Sequence, residues 1–372
     1  MKVLKLVFKN ILRHKLRSVL TIAGIAIAVI AFGILRTVVT SFNVGVEATA
    51  SNRLITRQAV SFIFPLDYSY RDKISKVQGV KNLTFANWFS GVYKDKNNFF
   101  ARMAVDHETF FDVYPEFILD ENELKALKEK RNACILGKDI AKEYNFKIGD
   151  IIPLEGDIYP GRWEFEVVGI YDPRDEITDA SQMLFRWDFL HERIQQDYPE
   201  RTGEVGWYIV DISNPSDAAK VSAAIDARFK DSPAPTKTET ERAFASGFIQ
   251  SVGAILTAMD VLSFIIIGVI MMVLANTMIM SARERTREYA VLKTLGFSTF
   301  HITGLIFGES MLIAILGAGA GLFFAFPIIE GFSQNIPKGI FPVFQLDPTT
   351  VYFAAGSALL IGVVSAIFPV HK

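Results

Sequence analysis

Residues 19–35, 261–280, 302–329 and 351–370 form four long apolar runs, and Glu309 is the one charged residue among them. The hydrocarbon core of a bilayer, about 30 Å thick, takes about 20 apolar residues as a helix. Inside lipid the backbone has no water to bond, so such a segment must satisfy itself as a helix. The runs therefore predict four transmembrane helices. The long stretch between the first two runs reads as an ordinary soluble domain and contains all four tryptophans.

Lys2, Lys5, Lys9, Arg13, Lys15 and Arg17 precede the first acidic residue, Glu47. Val3, Leu4, Val7, Phe8, Ile11 and Leu12 recur among them at helical spacing, so residues 1–17 predict a basic amphipathic helix on a membrane surface. A secretory signal shares this polarity. Here the basic part is too long, the apolar run exceeds a usual signal core, and no small-x-small cleavage site follows, so the run is read as a retained membrane helix. Lys and Arg placement then orients the chain. With four spans, the N-terminal helix, the turn bearing Arg283, Arg285, Arg287 and Lys293, and Lys372 share one face. That face is the cytoplasm. Both termini lie there, and the large domain and the 330–350 loop lie outside.

The expected layout is an amphipathic helix at 1–17, a first span with stalk at 18–49 and an extracytoplasmic domain at 50–240. A stalk and second span follow at 241–280, a cytoplasmic helix at 281–297, a third span at 298–329, an external loop at 330–350 and a fourth span at 351–372. The stalks rest on two apolar stripes, Leu35, Val39, Phe42, Val46 and Phe244, Phe248, Val252, Ile255, Met259. Interfacial anchoring is the alternative reading of those stripes. The outer domain predicts a mixed α/β fold. Helices are expected at 70–77, 121–131, 138–144 and 215–229, and strands at 83–92, 134–136, 165–170 and 208–212. A turn is expected at Gly149-Asp150, and Ser232 to Pro235 mark the boundary before the second stalk.

Small-xxx-small pairs, which let helix backbones approach in lipid, occur at Gly24/Ala28, Gly304/Gly308 and Gly317/Gly321. Glu309 lies about 10 Å into the third run at 1.5 Å per residue. An intramembrane carboxylate is a functional candidate, against a structural pairing with the basic turn or a neighbouring helix. Asp260, at the start of the second run, reads as an interfacial residue.

Residues for chemistry are sparse. No phosphate-cradling G-x-x-x-x-G-K-[ST] and no G-x-S-x-G elbow occur. The five histidines are scattered without metal-ligand spacing, and Cys134 alone cannot form an internal disulfide. Asp172, Asp175, Glu176 and Asp179 lack calcium-loop spacing and read as a solvated turn. A net charge of −1 gives no footprint for a nucleic-acid partner. No catalytic residue, cofactor site or metal site is assigned.

The turn between the second and third runs is unusual for a simple reversal. Residues 283–295 are good helix formers, Gly296 fits a left-handed C-terminal cap, and Ser298 can N-cap the next span. Tyr289, Leu292 and Leu295 form an apolar edge, and Arg283, Glu284 and Arg287 a polar one. Such a helix suits docking by a cytoplasmic protein.

Residues 284–298, E-R-T-R-E-Y-A-V-L-K-T-L-G-F-S, closely resemble the signature E-R-T-R-E-I-x-x-L-[RK]-A-L-G-A-S of the FtsX/MacB superfamily of ABC transporter permeases. Three other stretches agree: K-L-R-S-V-L-T-I-A-G-I-A-I-A-V at 15–29, N-A-C-I-L-G-K-D-I-A-K-E-Y with I-G-D and F-E-V-V-G-I in the middle, and F-G-E-S-M-L-I-A-I-L-G-A-G-A-G at 307–321. The resemblance implies four spans, a homodimer, and an outer domain with a MacB-like porter part and an inserted subdomain. It also implies a separate ATPase, holding ATP and Mg, that receives the turn through Arg283, Glu284, Arg285, Thr286, Arg287, Glu288, Leu292, Leu295 and Gly296. ATP-driven closure would move the outer domain through the stalks, for export or extraction of a lipoprotein, lipid, peptide or small molecule. A periplasmic adaptor and an outer-membrane channel or carrier are the further partners implied, beside membrane lipid. The alternative is an FtsX-like signalling subunit that activates an extracellular hydrolase.

Overall fold

The computed structural model describes residues 13, 15–47, 50–95, 98–175, 177–335 and 344–370. Most of the helix expected over 1–17, and the middle of the 330–350 loop, lie outside these residues, as does Glu176. Val46, Phe248 and Val252 of the expected stripes lie outside the described side chains. The chain forms two compact units, one from residues up to 42 with 252–335 and 344 onward, the other from 43–251 with 336–343.

Beside a two-stranded sheet formed by 66–67 and 204–205, the second unit is built on an eleven-stranded one. Its strands are β1 (Arg53–Gln58), β2 (Val80–Trp88), β3 (Gly91–Val92), β4 (Ala101–Val105), β5 (Phe117–Ile118), β6 (Ala133–Gly137), β7 (Ile151–Gly156), β8 (Gly161–Pro173), β9 (Gln182–Arg186), β10 (Trp207–Ile212) and β11 (Thr236–Thr240). Their order is β11-β1-β10-β2-β4-β9-β6-β8-β7-β3, with β5 beside β8. The β4/β9 and β6/β8 pairs are parallel, and the other pairs are antiparallel.

Both faces are covered, and alternation along the strands assigns each residue to one of them. Leu54, Phe85, Cys134, Tyr208 and Val210 point into one core, with Phe89, Trp163, Phe165 and Phe185. Ile55, Ala86, Ile135 and Ile209, their chain neighbours, point into the other with Phe110, Leu127 and Tyr171. Helix Trp187–Asp197 brings Leu190 and Ile194 to the first core, and helix Ala218–Phe229 brings Val221, Ile225 and Phe229. Glu121–Glu129 covers the second through Leu127.

The expected boundary at 232–235 falls inside this unit, because β11 follows it and pairs with β1. Its outer edge is closed by Asp226, which accepts Thr238 N at 2.9 Å and the Thr236 and Thr238 hydroxyls. Three carboxylates of the acidic turn are spent locally: Asp175 caps the amides of Ile177 and Thr178, Asp179 accepts the Ser181 amide and the Gln182 side-chain Nε2, and Asp172 meets Lys138.

The first unit is helical. Lys15–Glu47, Glu241–Glu284, Thr299–Asn335 and Pro348–Val370 are each long and apolar enough to cross a membrane. Gly317 and Gly321 face the first of these: a Cβ on Gly317 would come within 2.6 Å of Ile25 Cβ, and one on Gly321 within 2.7 Å of Val29 Cβ. Any larger residue would force these two helices apart. Gly24 and Gly304 face open space. Ser310 Oγ donates to Gly362 O at 2.9 Å, and Ser365 Oγ to Met271 O at 3.2 Å, adding polar ties between helices.

Candidate functional site

The long helix Glu241–Glu284 runs four residues past the expected end of its span, and the chain then bends at Arg285 rather than at Ser281. Arg285 has φ −99° and ψ 10°, and helix Thr286–Thr294 follows directly. Its amide still bonds back to Ser281 and Ala282, and its carbonyl accepts Tyr289 N at 3.0 Å. The Thr286 hydroxyl caps Arg283 O at 2.9 Å. The far end closes as expected for glycine. Gly296 has φ 92°, its amide bonds Lys293 O, and Phe297 N bonds Leu292 O, both at 3.1 Å. Ser298 turns its hydroxyl to His301 Nδ1 at 2.6 Å rather than to a backbone amide, while its carbonyl starts the next helix.

Side chains on this turn divide into three sets. Arg285 is 3% exposed and points inward, donating to Glu309 at 2.8 Å. The intramembrane glutamate is thus half of a buried ion pair, and it lies among Ser18, Thr21, Ser281 and Arg17. Tyr289 and Leu292 are half-buried, and Leu292 packs on the helical core. Burial pushes the Tyr289 hydroxyl upward in pKa.

The second set joins the first helix. Arg17 meets Glu284 at 2.6 Å and Arg13 meets Glu288 at 2.5 Å. Two arginines four apart face two glutamates four apart, which is one helical turn against another. That matched spacing is the sequence signal that would have paired them. The third set makes no such ties among the described residues and faces outward: Arg283, Thr286 and Arg287, with the apolar Val291, Leu295 and Phe297. Val291 is 58% exposed and Leu295 70%, so Val291 replaces Tyr289 and Leu292 on the open apolar edge. The pair Arg36–Asp260, at 2.7 Å, lies elsewhere in this unit and gives Asp260 a defined partner.

No cluster of three or more metal-ligating side chains occurs among the described residues. Cys134 is fully buried in the sheet core, which pushes its thiol well above its ordinary pKa.

Residues 18–228, more than half the chain, match the family model of the MacB-like periplasmic core domain, and 261–372 match the FtsX-like permease C-terminal model. An uncharacterized ABC transporter permease of Methanocaldococcus jannaschii is 24% identical over 401 residues, covering 98% of this chain and 93% of its own length. An ABC transporter permease protein of Mycobacterium tuberculosis is 22% identical over 246 residues, 66% of this chain and 28% of its own. Among solved structures, the extracellular domain of YknZ, an ABC-type transporter of Gram-positive bacteria, aligns over 51% of this chain and 99% of its own. Identity there is 13% and the TM-score 0.37. The periplasmic region of MacB from Actinobacillus actinomycetemcomitans aligns over 56% and 95%, at 12% identity and a TM-score of 0.39.

Proposed function

Because the chain belongs to the ABC transporter permeases of the FtsX/MacB type, we propose that it transmits the motion of a separate ATPase to its sheet domain through the 283–296 turn. A permease of this kind works with an ATPase subunit, and ATP and Mg belong to that partner. The observation that carries the reading is the build of the turn. It is a capped helix whose inner side chains are tied to two other helices, and whose outer face leaves Arg283, Arg287, Val291 and Leu295 open.

A loop that only reversed the chain would need neither the caps nor the ties. Held this way, the helix cannot tilt without displacing the ends of Lys15–Glu47 and Thr299–Asn335. Two helices, Lys15–Glu47 and Glu241–Glu284, begin in one compact unit and end in the other, so they supply the route. The turn faces the cytoplasm, the sheet domain lies outside, and the working unit is a dimer. The output is export or extraction of a lipoprotein, lipid, peptide or small molecule, with an adaptor or outer-membrane partner where the envelope has one.

A photocrosslinker at Leu295 in native membranes should trap a nucleotide-binding ABC subunit. Leu295→Asp should lower ATP hydrolysis by the purified complex about tenfold, the scale of losing a buried apolar anchor. Crosslinks to lipid alone, with unchanged hydrolysis, would sink the reading.

A further inference from the structure

A crevice of about 550 Å³ opens among three helices of the first unit, well away from the 283–296 turn. The first helix contributes Phe32 and Arg36, the second Phe264 and Ile267, and the last Tyr352, Phe353, Gly356 and Leu360 among others. Its lining runs from Thr349 to Leu360 on the last helix, about 16 Å at 1.5 Å per residue. Polarity changes along that length. At one end lie Arg36, its partner Asp260 and the exposed Tyr352; beyond them the walls are Phe32, Phe264, Ile267 and Leu360.

The polar end holds both signs of charge. Arg36 donates Nη1 to Asp260 at 2.7 Å, and its guanidinium lies 5.8 Å from the centre of the Phe353 ring. Arg36 Nε is buried and has no partner among the described residues. A buried donor without an acceptor is costly. The carboxylate of Asp260 is more than a third exposed, leaving lone pairs beyond the one that Arg36 uses. An occupant that fits therefore brings an anion to Arg36, a hydrogen-bonding cation to Asp260, and an apolar chain to the rest.

We propose that this crevice is a binding site for one membrane phospholipid whose headgroup carries both a phosphate and a primary ammonium. The phosphate accepts from the Arg36 guanidinium, and the ammonium donates to Asp260. One acyl chain lies along Phe32, Phe264, Ile267 and Leu360. A purely anionic headgroup meets Asp260 unfavourably, and a quaternary ammonium has no N–H to give it. The ion pair thus reads the headgroup, and the apolar length holds one acyl chain by van der Waals packing.

Native mass spectrometry of the full-length chain, delipidated in detergent and titrated with single lipids, tests this. Phosphatidylethanolamine should bind at one site at least about tenfold more tightly than phosphatidylcholine or phosphatidylglycerol, the scale of one charge-assisted contact. Arg36→Gln should remove the high-affinity site. Asp260→Asn should abolish the preference for phosphatidylethanolamine over phosphatidylglycerol. A Cβ on Gly356 would meet open space, so Gly356→Leu projects into the crevice and should expel the chain while leaving the ion pair intact. That variant keeps the test alive if either charge variant misfolds. Equal binding of all three headgroups by the unmodified chain would overturn the proposal. So would a disulfide forming between two copies of Gly356→Cys in membranes, since the crevice would then be a protein interface.

Discussion

Arg53 in the sheet unit and Arg285 in the helical unit are both buried guanidiniums bound to glutamate, yet they are fastened differently. Arg53 lies on β1 and meets Glu241 and Glu116, each at 2.7 Å, donates to Val113 O, and stacks 4.2 Å from the centre of the Tyr114 ring. Tyr114 in turn donates to Glu241 at 3.0 Å. Burial by itself lowers the pKa of Arg53, but Glu116 and Glu241 outweigh it and leave it raised. Arg285 instead sits where one helix ends and the next begins. The first residue locks a strand to the opening turn of a helix inside a rigid core. The second lies at a joint, where a small change in backbone angle swings a whole helix. Identical charge chemistry thus serves as a rivet in one unit and as a pivot in the other.

Arg53→Met should give the largest effect. Leaving Glu116 and Glu241 buried without their cation costs about 3–5 kcal/mol. Denaturant unfolding of the full-length chain, followed by tryptophan fluorescence, reports on the sheet unit because all four tryptophans are there. A loss below about 1 kcal/mol would show that the cluster is not a rivet. Arg285→Met should cost about 2 kcal/mol or more by stranding Glu309, and Arg285→Met with Glu309→Leu should restore most of that. The pivot reading adds a separation. The double variant should recover thermal stability in detergent without recovering ATPase coupling. Recovery of both would reduce the pair to a structural tie.

The outer ties of the turn should matter less for stability. Arg13 and Glu288 are both about half exposed, so losing their contact costs well under 1 kcal/mol. Their effect should appear in coupling: Glu284→Arg with Glu288→Arg should impair it, and adding Arg13→Glu with Arg17→Glu should restore it. Failure of that rescue would show that the glutamates contact the ATPase directly.

How much of this is visible in the sequence depends on how far each cause lies along the chain. The apolar runs are local facts of composition, and all four emerge as helices long enough to span. The cap at Gly296 is likewise local, set by a left-handed residue after an amphipathic segment. Arg283, Arg285 and Arg287 look alike in sequence. Only one is buried, because its partner Glu309 lies 24 residues away on another helix. The edge strand β11, T-K-T-E-T, has no apolar alternation to announce it, and its partner β1 is nearly two hundred residues earlier. Arg53 carries no local signal for the same reason, since its glutamates at 116 and 241 converge only when the sheet closes.

The smallest effect should separate the two units by pH. Burial holds His107 and His191 in the sheet unit below the ordinary histidine pKa. For His107 the nearby Arg186 works in the same direction, and Asp188, Glu108 and Asp106 partly oppose it. The folded unit therefore keeps both rings neutral where the unfolded chain would bind protons. Stability rises with pH wherever the unfolded state holds more protons, so this contribution is full above about pH 6.5 and is lost as pH falls through and below that value. His191, stacked 4.5 Å from Trp187, gives the cleaner test. Replacing it with Phe should flatten the fall in unfolding midpoint between about pH 7 and pH 5. Among its described residues the helical unit packs no histidine in its core, so the thermal stability of the detergent-solubilised spans should stay level across the same range. A parallel decline in both units would mean that they do not unfold independently, and the rivet and the pivot would then have to be treated as parts of one cooperative structure.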